Sequence, residues 1–307
     1  MTIEVIKLKL FIDKLFAKIK ESESRICVGL DPHLHLIPDF IFEEVENKVD
    51  DSEKAKALAV LNFNKKIIDE ISKYTAIVKP QIAFYEKMGL AGLKTLDKTI
   101  AYAKNKGLLV LLDAKRNDIG STAQAYSEAY LKNKNIDAIT INPYFGFDGI
   151  KPFLNYKDKG AFVLVRTSNE SAVDVQDIES KDGKKIYEKI GDLVKDWGKD
   201  YLGKCGYSNL GAVIGATYPK ELKDLRSLLP ETFFLIPGYG AQGGGAEDVV
   251  HGFDEDGSGA IINSSRGIIF AYRNQKKYSE KDFDLAAGQA AKDMKEEINQ
   301  ALEKYYK

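Results

Sequence analysis

Asp113, Lys115 and Asp118 follow directly on an apolar run, Leu108-Leu109-Val110-Leu111-Leu112. A run of that kind reads as a strand buried on both faces. Side chains two apart in an extended chain point the same way, so Asp113 and Lys115 project together from the strand end. Asp118 comes three residues later, where the chain has left the strand and can reach elsewhere. A buried charge is costly unless paired, and a carboxylate–ammonium–carboxylate run can pair with itself. Two readings stay open on these residues alone. One is a salt bridge at a strand terminus before a helix capped by Ser121 or Thr122. The other is a site in which two acids and an amine act on a substrate.

A second group lies far along the chain, in Gly238-Tyr239-Gly240-Ala241-Gln242-Gly243-Gly244-Gly245. Glycines let backbone N–H groups approach a phosphate closely, and a following helix N-terminus adds favourable dipole charge. Arg266, beyond the next apolar run, offers a bidentate contact to phosphate oxygens. The bland alternative is a flexible turn and a surface arginine. His33, His35 and His251 have no metal-ligand spacing, His33 and His35 being expected as solvent-facing loop residues, and no nucleophile–histidine–acid arrangement or P-loop is present. The residues predict neither a metal nor a cofactor.

Short apolar runs that read as strands recur at 26–30, 76–78, 108–112, 138–141, 161–165, 211–215, 233–237 and 259–262. Helical patterns alternate with them at 52–72, 88–104, 121–132, 149–155, 185–201, from Pro219 onward, and at 284–305. Eight strands alternating with helices over 307 residues predict one α/β domain over 1–307, a (β/α)8 TIM barrel. An amphipathic helical extension over 1–24 is expected to pack on it. A doubly wound open sheet would carry its glycine-rich loop after the first strand; here that position holds Asp31-Pro32-His33. In a barrel the strand ends share one rim. That rim would gather Asp31, Lys79, Asp113, Lys115, Asn142, Arg166, Ser168, Gln242 and Arg266, with phosphate held after strands seven and eight. The polar stretch 170–183 is long enough to be a functional lid.

Composition narrows the classes further. A net charge of −1 leaves no electrostatic footprint for nucleic acid or an anionic membrane. The amphipathic N-terminus, broken by Lys7, Lys9, Asp13, Lys14, Lys18 and Lys20, is not a signal peptide, and no apolar run is long enough to span a bilayer. Two cysteines, Cys27 and Cys205, make neither a metal pattern nor a disulfide framework. These features predict a cytoplasmic protein.

The motifs together resemble the orotidine 5′-phosphate decarboxylase family, in its longer bacterial (type 2) subfamily. The resemblance rests on Asp113-Ala114-Lys115-Arg116-Asn117-Asp118-Ile119, which has the family's D-x-K-x-x-D form. It is extended, in order, by Val28-Gly29-Leu30-Asp31, the stretch from Lys79-Pro80-Gln81 to Glu86, Asn142-Pro143-Tyr144, Thr167-Ser168-Asn169, the glycine-rich stretch and Arg266. It implies conversion of orotidine 5′-monophosphate to UMP and CO2, the last step of UMP synthesis, without cofactor. It further implies a homodimer with shared active sites. Lys79, Asp113, Lys115 and Asp118 would form a charged array, with Asp118 acting in the partner's site and Lys115 as proton donor. Asp31 and Lys79 would bind ribose hydroxyls, and Ser168 the pyrimidine. Asn142 would also lie in the substrate site. Gln242, Arg266 and the backbone near Gly243 would hold the phosphate. Ile119 and Thr122 would add contacts across the dimer. Two other readings remain: a Mg2+-dependent sugar-phosphate decarboxylase of the same superfamily, and a barrel that binds a nucleotide phosphate without chemistry.

Overall fold

A computed structural model describes residues 9–46, 49, 51–132, 135–240 and 243–306. Among these, eight parallel strands close into a barrel in chain order. They are β1 (Ile26–Leu30), β2 (Ile77–Pro80), β3 (Leu109–Arg116), β4 (Ala138–Ile141), β5 (Gly160–Arg166), β6 (Leu210–Ile214), β7 (Phe234–Pro237) and β8 (Ala260–Ser264). β1 pairs with β2 on one side and closes on β8 on the other, with Cys27 opposite both Ile77 and Asn263.

The helices are α1 (Phe11–Ser22), α2 (Asp39–Glu46), α3 (Ser52–Ile71), α4 (Ala83–Glu86), α5 (Gly89–Asn105), α6 (Gly120–Leu131) and α7 (Phe147–Leu154). They continue as α8 (Val173–Gln176), α9 (Ile186–Gly198), α10 (Pro219–Leu228), α11 (Ala246–Val249), α12 (Arg266–Ile269) and α13 (Phe283–Tyr305). The one-turn helices α4, α8, α11 and α12 and the short α2 were not anticipated. They are too short to carry a 3.6-residue apolar period.

Two apolar layers hold the barrel together. One lies between sheet and helices, where strands such as β1 and β4 are buried along their full length. The other fills the barrel with Cys27, Ile77, Leu109, Leu111, Phe162 and Leu235 and is closed by α1. Phe11 of α1 meets the Phe162 ring edge-on, with centroids 6.3 Å apart. Gly160 makes room for it: a Cβ there would come within 2.2 Å of the Phe11 ring. The Asn209 side-chain oxygen accepts from the Ile12 N–H at 3.0 Å. The helical extension thus plugs the end of the barrel opposite the charged residues; its first eight residues lie outside those described.

Three expectations change in detail. β3 runs on through Arg116, so Asp113 and Lys115 stand inside the strand and not beyond it. The stretch 170–183 is structured: it opens with a 3-10 turn, Glu170–Ala172, and continues into α8. His33 does not simply face solvent. Its ring lies against Phe84, with centroids 4.5 Å apart.

Candidate active site

The β3–β4 register explains how charge comes to lie in a buried strand. Leu112 is opposite Ile139, and the next paired residue, Arg116, is opposite Ile141. Asp113, Ala114 and Lys115 therefore face only Thr140. Such a bulge bends the strand and re-aims its side chains. Lys115 adopts the left-handed conformation, with φ of 48°, which costs a residue bearing a Cβ roughly 1–2 kcal/mol. The surroundings must hold it there.

Asp113 is the hub. Its Oδ1 accepts from Lys115 Nζ at 2.6 Å and from Thr140 Oγ1 at 2.8 Å, and its Oδ2 accepts from Lys79 Nζ at 2.8 Å. Its main-chain oxygen accepts from the Ile82 N–H at 3.2 Å, which ties β3 to the loop after β2. Lys79 is 4% exposed and Asp113 7%, so neither charge could persist there unpaired. Burial alone would push the Asp113 carboxyl up. The Lys79 and Lys115 ammoniums outweigh that and hold it well below the usual carboxylate range. Burial would likewise pull Lys79 down, but Asp113 and then Asp31 more than offset it, so Lys79 stays an ammonium. Cys27, deep in the barrel, has its thiol pushed up to about 12 by burial and stays neutral.

The array opens on a cavity of about 410 Å³. Lys79, Asp113, Lys115 and Thr140 make its charged wall, Ser168 with its neighbours Thr167 and Asn169 its polar wall, and Leu164, Val213 and Leu235 its apolar floor. A planar, partly apolar ring carrying an anionic group fits such a lining. Asp31 Oδ1 and the side-chain oxygens of Thr217, Asn263 and Ser265 are buried without a protein partner. All four follow or end barrel strands, at the same rim. Buried polar atoms are normally satisfied, so these are places for a ligand to bond.

The other expected residues divide. Asn142 is not among the cavity-lining residues, and its side-chain oxygen accepts from the Tyr144 N–H at 3.0 Å in the loop after β4. Asp118 does not join the array of its own chain; its Oδ1 accepts from the Ile119 N–H at 2.8 Å. Within the run, then, Lys115 pairs with Asp113 and Asp118 does not; the second cation on Asp113 is Lys79 of the neighbouring strand, which the resemblance had put in the array. Ile119 and Thr122 are exposed at the start of α6. Arg166 is 1% exposed and does not line the cavity. It pairs with Asp177 at 2.7 Å and stacks on Tyr187 and Tyr218.

Arg266 opens α12, exposed and without an ion pair among the described residues. In the glycine-rich loop Gly238, Gly240 and Gly243 have φ of 107°, 74° and 94°. The Gly243 N–H donates to Gly240 O at 3.0 Å, and the Gly240 N–H to Gly244 O at 2.8 Å. Gln242 lies outside the described residues. The helix after this loop, α11, is a single turn, so the dipole contribution expected from it is small.

Thr140 was missed by sequence reasoning. Its signal was faint: one hydroxyl inside the apolar run Ala138-Ile139-Thr140-Ile141.

Comparison with known proteins identifies the family. A model of the orotidine 5′-phosphate decarboxylase / HUMPS family matches residues 24–281. The chain is 44% identical over 297 residues to orotidine 5′-phosphate decarboxylase of Clostridium tetani, spanning 95% of this chain and 99% of that protein. It is 41% identical over 305 residues to the enzyme of that name from Caldicellulosiruptor bescii, with 95% and 99% covered. Among solved structures it resembles Leishmania donovani OMP decarboxylase, with a TM-score of 0.75 and 32% identity over 95% of this chain and 98% of that one. It also resembles UMP synthase of the same organism, with a TM-score of 0.77 and 34% identity over 96% of this chain and 57% of that one.

Proposed function

The chain belongs to the orotidine 5′-phosphate decarboxylase family, and from that premise we propose how its residues convert orotidine 5′-monophosphate to UMP and CO2 in the cytoplasm. The observation that carries the reading is the unbroken contact series Lys79–Asp113–Lys115 at the cavity mouth.

Breaking the C6–carboxylate bond leaves an electron pair on a vinylic carbon with no adjacent sink. Fixed charge must stabilise it. The substrate carboxylate sits beside Asp113, and their repulsion falls as CO2 departs. Lys115 Nζ faces the developing carbanion and transfers its proton to C6, giving UMP; solvent then returns a proton to the amine. Lys79 has two roles. It balances Asp113 when no substrate is bound, and it reaches toward the ribose hydroxyls together with Asp31. Ser168 bonds the pyrimidine edge. Arg266, Gln242 and the backbone at Gly243 grip the phosphate, with the Gly243 N–H released from Gly240. That grip is remote from the breaking bond, so its binding energy is available to organise the site.

Asp118, Ile119 and Thr122 act on the partner subunit's site in a homodimer. Support comes from the exposure of Ile119 and Thr122 and of nearby aromatic side chains: Ile119 is 58% exposed, Tyr144 86% and Phe145 51%. Patches of this kind mark contact surfaces. Among the described residues no helix is long and apolar enough to cross a membrane.

The test is conversion of orotidine 5′-monophosphate, followed by absorbance, with excess EDTA. Undiminished turnover is expected. Complete loss on chelation would favour a Mg2+-dependent sugar-phosphate decarboxylase, and UMP binding without turnover would favour a binding protein.

A further inference from the structure

We propose that Thr140 is a positioning residue that sets the reactive geometry of Lys115 and Asp113 through its hydroxyl. The inference rests on the decarboxylase reading and adds to it a residue on a different strand from the reacting pair.

Thr140 stands alone opposite three β3 residues. The bulge takes the Ala114 and Lys115 N–H groups out of the regular ladder, and both donate to Thr140 Oγ1, each at 3.0 Å. A hydroxyl has two acceptor sites and one proton. With both acceptor sites filled, its proton goes to Asp113 Oδ1, 2.8 Å away. One atom thus anchors the left-handed backbone of Lys115 and orients the carboxylate that Lys115 contacts. Thr140 is 1% exposed and held between the two strands. It also lines the cavity and keeps the pair aimed there. A valine of the same shape would strand two N–H groups and free the carboxylate to turn. Misplacement of a reacting group by about 1 Å can cost on the order of 100-fold in rate.

The experiment compares wild type, Thr140→Val and Thr140→Ser for kcat and KM on orotidine 5′-monophosphate, UMP affinity, and the pH profile of kcat. Wild-type turnover tests the decarboxylase reading by itself, so its failure is distinguishable from failure of this inference. Thr140→Val is expected to lower kcat by about 10- to 100-fold, with UMP affinity held within about threefold. Thr140→Ser keeps the hydroxyl and is expected to hold kcat within about threefold of wild type. The acid limb of the valine variant should move to higher pH, because Asp113 loses a hydrogen bond to its charged form. The groups facing Asp113 there are Lys79 on β2 and Lys115 on β3, with Asp31 and Cys27 beyond Lys79. A purely structural role would move stability and leave that limb in place. Valine turnover near wild type with an unmoved acid limb overturns the inference, as does serine as impaired as valine. If the valine variant fails to bind UMP, Thr140→Ala against Thr140→Ser decides the same question by the same readouts.

Discussion

Asp113 sits between two ammoniums, and that arrangement has consequences for stability as well as catalysis. Its carboxyl is held low, so its contribution to stability is present above the unfolded carboxylate pKa and is lost only as pH falls well below about 4. Lys79 is held high, so its contribution is present below the unfolded amine value and is lost as pH rises beyond about 10. Between those limits this pair should leave stability independent of pH. Asp113→Asn breaks the symmetry. Lys79 then lies buried without its nearest counter-charge, and urea denaturation at neutral pH should show a loss of about 3–5 kcal/mol. The folded variant would bind fewer protons than the unfolded chain, so its stability should rise from pH 6 to 9 where the wild type stays flat. An equally flat profile for the variant would mean that Asp31 alone neutralises Lys79. Asp113 and Lys115 were legible in sequence because charge interrupts an apolar run. Spacing alone did not give their partners: Lys79 entered the array only through the family resemblance, and Thr140 was not singled out. Lys79 and Thr140 lie on neighbouring strands, and sequence spacing says nothing about which strand supplies a counter-ion.

Elements deliver these residues, and two of them can be loosened independently. Phe11 of α1 is 1% exposed and wedged against Phe162 and Gly160. Phe11→Ala should destabilise the fold by about 3–5 kcal/mol while leaving kcat of the folded enzyme nearly unchanged, since α1 closes the far end of the barrel. The segment after β5 behaves differently. Asp177 pins it to the buried Arg166 and also pairs with Lys185 at 3.7 Å. The Gln176 side chain brackets Thr167, accepting from its N–H at 3.0 Å and donating to its hydroxyl at 2.7 Å. Thr167 neighbours Ser168 in the cavity wall, so this segment and the proposed pyrimidine subsite share an anchor. Asp177→Asn should speed proteolysis within 170–183 and raise KM more than it lowers kcat; unchanged cleavage would show that Gln176 suffices. β1, β4, α3 and α13 were legible nearly to the residue, because their apolar periods are long or uninterrupted. The bulge in β3 was not, because a register shift is a relation between two strands and leaves no mark on either one alone.

At the scale of the molecule, the closed barrel brings residues from β1 to β8 to one rim, and the chain order of the motifs already required this. In the proposed homodimer a second chain completes the array. Asp118 stays with its own loop, beside exposed Ile119, Tyr144 and Phe145. In the proposed homodimer, inactive Lys115→Ala and Asp118→Ala subunits should complement one another. Each mixed dimer has one intact site, so random mixing should restore about a quarter of wild-type activity. No recovery in dimers shown to be mixed would confine each site to one chain. The proposed phosphate side was only partly legible for a physical reason: glycines and an exposed arginine suggest an anion site by type, but the bonds that would define it are made to the ligand.

The most direct test of the account is Lys115→Ala, assayed for decarboxylation of orotidine 5′-monophosphate and, in parallel, for UMP affinity. The account predicts a fall in kcat of about 1,000-fold or more with UMP affinity kept within a few-fold, because the amine supplies the proton and the charge while the phosphate grip lies elsewhere. Turnover close to wild type in that variant would contradict it.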